Sequence, residues 1–200
     1  MSTIQITATD GTGTFAAYHA PATGTHANGD VGAVVLIQEI FGVSASLRQI
    51  ADEVASLGYH VIVPDLFWRQ EPGIDLSDKT KEEWDKAFAL LNGFDQDKGI
   101  EDLKATLALA RTLPGTTGKV ATMGYCLGGR LAFMMATRSD ADLNISYYGV
   151  GLDGLIPELG HITKPLLVHI AENDTFFGAD ARTTLLEATK SHAHIETHGQ

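Results

Sequence analysis

The sequence predicts an α/β fold, a mostly parallel central sheet flanked by helices, in a single domain over residues 1–200. Three observations carry this. Short apolar runs alternate with segments of helical periodicity, the order expected when helices cover both faces of a sheet. The run Gly32-Ala-Val-Val-Leu-Ile-Gln38 is continuously apolar, as a strand buried on both faces must be. Finally, 200 residues with a hydrophobic fraction of 44% can bury one sizeable core.

Element by element, Ile4–Thr7 and Phe15–His19 read as an antiparallel hairpin around the turn Asp10-Gly-Thr-Gly13. A polar loop over Pro21–Asp30 leads into the Gly32–Gln38 strand. The next helix carries Leu47, Ile50, Ala51 and Val54 on one face, with Ser46 as its expected cap and Gly58 just past its end. His60–Val63 is a strand stopped by Pro64. Residues 64–79 form a long loop of the kind that often lines a site. Thr80-Lys-Glu-Glu83 matches a capping box and opens a helix to about Leu91. A second helix runs from about Asp97 to Leu113. Strands follow at Lys119–Tyr125, Ile145–Tyr148 and Pro165–Ile170, helices at Gly128–Thr137 and Ala179–Lys190. Ala193–His198 begins a last strand.

Composition narrows the function. A formal charge of −11 disfavours nucleic acid, whose phosphates demand surplus Lys and Arg, and gives no support for an anionic membrane surface. No window approaches the roughly 18 apolar residues of a membrane span. Met1–Asp10 has neither a basic start nor an apolar stretch, so no signal peptide is expected. The single cysteine cannot form an internal disulfide, and a cytoplasmic location fits best. The cluster His192, His194, His198 has strand-like spacing rather than a metal-ligand pattern, so no metal or other cofactor is expected.

The most informative stretch is Val120-Ala-Thr-Met-Gly-Tyr-Cys-Leu-Gly-Gly-Arg-Leu-Ala-Phe133. It reads strand, tight turn, helix, and holds Gly-x-Cys-x-Gly from Gly124 to Gly128. This is a nucleophile-elbow pattern with sulfur in place of the usual serine oxygen. Reversing a strand into a helix within one residue presses backbone against backbone, which explains the flanking glycines. Cys126 is left projecting at the sheet edge in strained φ/ψ. Amide groups of the helix behind it should favour the thiolate. The competing reading is a buried structural cysteine.

With Gln38-Glu-Ile-Phe-Gly-Val43, Pro64-Asp-Leu66, Gly124-Tyr-Cys-Leu-Gly-Gly129 and Tyr147-Tyr-Gly-Val-Gly151, the chain resembles the dienelactone hydrolase family over nearly its whole length. The resemblance implies an α/β-hydrolase fold and a hydrolase with a Cys-His-Asp triad. Cys126 matches the nucleophile, Asp174 in Ala171-Glu-Asn-Asp174 the acid, and Glu39 the glutamate that contacts the cysteine. The amides of Ile40 and Leu127 match an oxyanion hole, where such donors are worth about 3–4 kcal/mol. Tyr147 and Tyr148 are expected near the pocket. The family histidine follows the last strand, so it is expected beyond Gln200; residues 1–200 would then lack the final C-terminal elements, a closing helix included. Where family members carry an arginine for a substrate carboxylate, this sequence has Trp84, which makes a more apolar ester or lactone the expected small-molecule substrate. Arg69 is the remaining local cation. Two alternatives stay open from the residues: a non-catalytic binding module on a degenerate hydrolase fold, and a redox thiol protein, the latter weakened by the absence of a resolving cysteine.

Overall fold

The computed structural model describes residues 2–24 and 29–199. Residues 25–28 of the loop expected over Pro21–Asp30, together with Met1 and Gln200, lie outside the described residues. Eight strands form one sheet: β1 (Ser2–Thr7), β2 (Thr14–Ala20), β3 (Val31–Ile37), β4 (His60–Pro64), β5 (Thr116–Tyr125), β6 (Leu143–Tyr147), β7 (Leu166–Ile170) and β8 (Ile195–Gly199). Their spatial order is β1-β2-β4-β3-β5-β6-β7-β8. Only β1 and β2 run antiparallel to their neighbours; the six strands from β4 to β8 are parallel. The expected α/β-hydrolase architecture is what forms.

The apolar run in β3 behaves as expected of a central strand. Val35 and Ile37 join a large cluster with Leu103, Leu131 and Leu152 on one face, while Val34 and Leu36 join Leu47, Ala51 and Val61 on the other. The first face is covered by α3 (Gln96–Ala110) and α4 (Leu127–Arg138), the second by α1 (Ala45–Ser56). Burial on both faces is what a period-two side-chain pattern requires when every residue is apolar. The remaining helices are α2 (Lys81–Asn92) and α5 (Ala179–Thr189), and none among the described residues is long and apolar enough to cross a membrane.

Several expectations are corrected in detail. The cap of α1 is Ser44, whose Oγ accepts from the Leu47 N–H at 3.2 Å; Ser46 only hydrogen-bonds Ser44. Thr80 caps α2 through the Glu83 N–H at 3.2 Å, but the Glu83 carboxylate turns to Ser77 and the Thr80 hydroxyl instead of closing the reciprocal half of the box. Tyr148, expected as a strand residue, lies past the end of β6 at φ 38°. Between β6 and β7 runs a 3₁₀ segment, Leu152–His161, that periodicity did not signal. It contains Pro157, and its buried residues are Leu152, Leu155 and Leu159.

Candidate active site

The C-terminal ends of β3, β5 and β7 open onto one cavity of about 490 Å³. At its floor, β5 turns into α4 within a single residue. Cys126 is that residue, at φ 54° and ψ −114°, a conformation costing on the order of 1–3 kcal/mol outside glycine. Its backbone is held by Cys126 N–H to Tyr147 O at 3.1 Å and by Arg130 N–H to Cys126 O at 3.0 Å. The glycines around it are sterically obligatory. A Cβ on Gly124 would stand 2.2 Å from Gly128 O, and one on Gly128 would stand 2.3 Å from Ile37 O and 2.7 Å from Gln38 O. Gly129, which the elbow pattern does not require, is equally constrained, since its Cβ would lie 2.4 Å from Tyr147 O. The turn therefore wedges α4 directly against β3 and β6.

The wall beside Cys126 comes from the end of β3. Gln38 is fully buried and accepts the Leu66 N–H at 2.9 Å, which fixes the backbone that continues into Glu39, Ile40 and Phe41. Ile40 and Leu127 both line the cavity next to Cys126. Tyr148 donates its hydroxyl toward Glu39 Oε1 at 3.5 Å. Across the cavity, Asp174 sits on the loop after β7, its Oδ1 accepting the Phe176 N–H at 2.7 Å. It does not cap α5, whose N-cap is Gly178. Trp84, Phe88 and Leu91 of α2, with Phe41, Val150 and the 67%-exposed Phe176, complete an apolar lining.

Electrostatically the site is crowded with acid. Burial pushes the Glu39 carboxyl above its ordinary range, and the charge of Asp78 adds to this; only the Tyr148 hydroxyl opposes it. Burial likewise pushes the Cys126 thiol up, followed by the charges of Glu39 and Asp174, and the Leu127 amide offsets only part of the rise. The amide-dipole argument from sequence pointed the other way. Desolvation and two carboxylates outweigh one amide, so the net push on the thiol is upward.

The cavity thus brings together Cys126, Glu39, Asp174, Ile40, Leu127, Trp84 and Tyr148. It leaves out three groups singled out in the sequence. Tyr147 stacks between Tyr125 and His169, at 4.9 and 4.5 Å between ring centroids. Arg69 is neither solvated nor near the cavity: it pairs with the buried Asp102 at 2.8 Å and with Asp10 at 2.9 Å, over the face of Trp68. His198 pairs with Glu196 at 2.9 Å and stacks on His169, and His192 engages Leu159 O. Phe41, Phe88, Val150 and Phe176 were not foreseen. Phe88 was legible as the i+4 neighbour of Trp84 on one helix face; the loop residues carried no local signal.

A strained elbow residue at the edge of a parallel sheet, lodged in an apolar cleft beside two carboxylates, defines an α/β hydrolase. Comparison with known proteins sharpens this. The sequence profile described as "Dienelactone hydrolase family" matches residues 15–198. A relative from Azospirillum brasilense named "Putative carboxymethylenebutenolidase" is 50% identical over 200 residues, 99% of this chain and 84% of the relative. The "Carboxymethylenebutenolidase 1" of Cupriavidus pinatubonensis is 39% identical, covering 82% of this chain and 70% of its own length. Among solved structures, a "Putative Dienelactone Hydrolase from Klebsiella pneumoniae" superposes with TM-score 0.80 over 99% of this chain and 84% of its own, at 22% identity. An esterase of Pyrococcus furiosus superposes with TM-score 0.72 over 100% and 82%, at 16% identity. These two likenesses speak for the fold alone.

The chain belongs to the dienelactone hydrolase family, and it is an enzyme that hydrolyses ester or lactone bonds.

Proposed function

We propose that this chain cleaves a small carboxylic ester or lactone through attack by Cys126 Sγ. The sulfur adds to the carbonyl carbon, the C–O bond to the alkoxide breaks, and the thiol proton goes to the leaving oxygen. Water then hydrolyses the thioester, returning the thiol and releasing the acid. The carrying observation is that the one residue at φ 54° on the turn between β5 and α4 is a cysteine, and that Glu39 and Asp174 line the same cavity.

Each neighbour then has a role. Glu39, held at the end of β3 with its affinity for a proton raised by burial, is the group suited to take the thiol proton once substrate excludes water. The amides of Leu127 and Ile40 receive the developing oxyanion. Asp174 is the carboxylate suited to orient a triad imidazole. Tyr148, with its own hydroxyl held strongly protonated by burial and by Glu39, tethers that carboxylate. The raised thiol is consistent with this scheme: a nucleophile kept protonated until substrate arrives is shielded from stray oxidation.

Cys126→Ala keeps the same Cβ at the strained position, so the fold should be retained. The expected outcome is loss of aryl-ester hydrolysis by about 10⁴-fold or more. Intact-mass analysis of the parent after a brief pulse of p-nitrophenyl ester should show one acyl group, absent from the variant. Undiminished turnover by Cys126→Ala would remove the thioester route.

A further inference from the structure

We propose that this cleft selects esters and lactones that are uncharged around the scissile bond, with an apolar or aromatic substituent, and turns away those carrying a free carboxylate. The inference rests on the function proposed above and narrows its substrate, away from the carboxylate-bearing lactone that the relatives' name denotes.

The lining supplies the argument. Phe41 and Trp84 meet edge to face at 5.0 Å, and Trp84 and Phe88 follow at 5.6 Å, so α2 and the β3 loop present one continuous aromatic wall. The Trp84 N–H is already spent on Asp78 O at 3.0 Å, which leaves the ring as the surface offered. Phe176 and Val150 line the same cavity. Among the described residues lining the cavity, the formally ionisable groups other than Cys126 and Tyr148 are the carboxylates Glu39 and Asp174; there is no lysine or arginine.

Among the described residues, the nearby arginines are already committed. Arg69 is committed to Asp102 and Asp10, and Arg48 to Asp75 at 2.9 Å. Arg130 donates to Gln96 Oε1 at 2.8 Å and to the carbonyls of Val150 and Gly151. The groove that continues from Glu39 and Phe41 is lined by Asp75, Asp78 and Glu83 against a single lysine, Lys79, whose charge bears on Glu83. A substrate carboxylate in the cavity would therefore lose its hydration against aromatic rings and meet the like charges of Glu39 and Asp174. At an effective dielectric constant of about 20, one like charge roughly 8 Å away disfavours binding on the order of 30-fold.

The test compares p-nitrophenyl pentanoate with mono-p-nitrophenyl succinate, which has nearly the same length and a terminal carboxylate. For the parent enzyme, kcat/KM should favour the pentanoate at least about 30-fold. Trp84→Arg should narrow that ratio tenfold or more, whereas Trp84→Phe, which keeps an aromatic ring, should leave it within threefold. In Cys126→Ala, calorimetry with the uncleaved N-phenylpentanamide and N-phenylsuccinamate should give the same preference as a Kd ratio. Equal Kd values for the two amides, or a Trp84→Arg ratio equal to that of the parent, would overturn the proposal. If Cys126→Ala still hydrolyses esters, the cysteine mechanism falls while the Kd ratio continues to decide the specificity.

Discussion

The two halves of the cleft are built by different means. On the β3–β5 side, Glu39, Ile40, Cys126 and Leu127 ride on backbone pressed against backbone, with glycine contacts that leave no room for a methyl group. On the β7 side, Asp174 stands on an exposed loop between Ile170 and α5. That loop is pinned by the buried Phe177, by the Phe176 N–H on Asp174, and by Arg182 donating to the carbonyls of Ala171 and Glu172. The lesson is that the geometry of Cys126 is a property of the folded core, whereas the geometry of Asp174 is a property of a few local hydrogen bonds. Damage to the glycine packing of the first half should therefore appear as lost stability, and damage to Asp174 in the second as lost turnover in an intact protein.

Loss of Cys126 itself aside, the largest effect should fall on the β7 side. Asp174→Asn is expected to lower kcat by about 10³–10⁴-fold while the melting temperature stays close to that of the parent; steady-state kinetics and calorimetry on one preparation read both. A stability loss comparable to the activity loss would erase the contrast between the halves. Next comes the elbow itself. Gly128→Ala puts a methyl group into Ile37 O and Gln38 O, and should destabilise by about 3 kcal/mol or more, measured by urea titration. A folded Gly128→Ala protein of parental stability would show that the elbow is not wedged after all.

The smallest effect is a pH dependence at Glu39. Burial raises its folded-state affinity for a proton above the ordinary carboxyl value of 4.5. A raised folded value gives stability that is present in full below the unfolded value and lost as pH rises through the folded one. Glu39→Gln should thus leave stability unchanged below pH 4.5 and increase it progressively above. The same variant removes a negative charge beside the thiol, so iodoacetamide alkylation of Cys126 should begin at lower pH than in the parent. An unshifted alkylation profile would separate the two groups electrostatically.

Much of this arrangement was legible because it is local. Gly-x-Cys-x-Gly between an apolar strand and a helix encodes the elbow within five residues, and the clash distances at Gly124 and Gly128 bear out the steric reason given for it. The continuous run in β3 announced burial on both faces. The resemblance led to Glu39, Asp174 and Trp84, and all three line the cavity. What escaped depends on tertiary context. The 3₁₀ segment has a period near three and an internal Pro157, so helical periodicity passes over it. Tyr148 leaves its strand where Gly149 packs against Gly129 and Arg130, contacts made 20 and 19 residues apart. The thiol's upward shift arises from desolvation and from two acids distant in sequence, neither of which a helix-dipole argument contains.

The three glycine contacts of the elbow also govern how such a protein can be redesigned. Positions 124, 128 and 129 accept no side chain, so randomising them yields mostly unfolded products. Positions 84, 88 and 176 present partly or largely exposed rings to the cavity and show no such backbone clash. A mutational library confined to those three sites would vary what the enzyme accepts while spending almost none of its diversity on broken scaffolds.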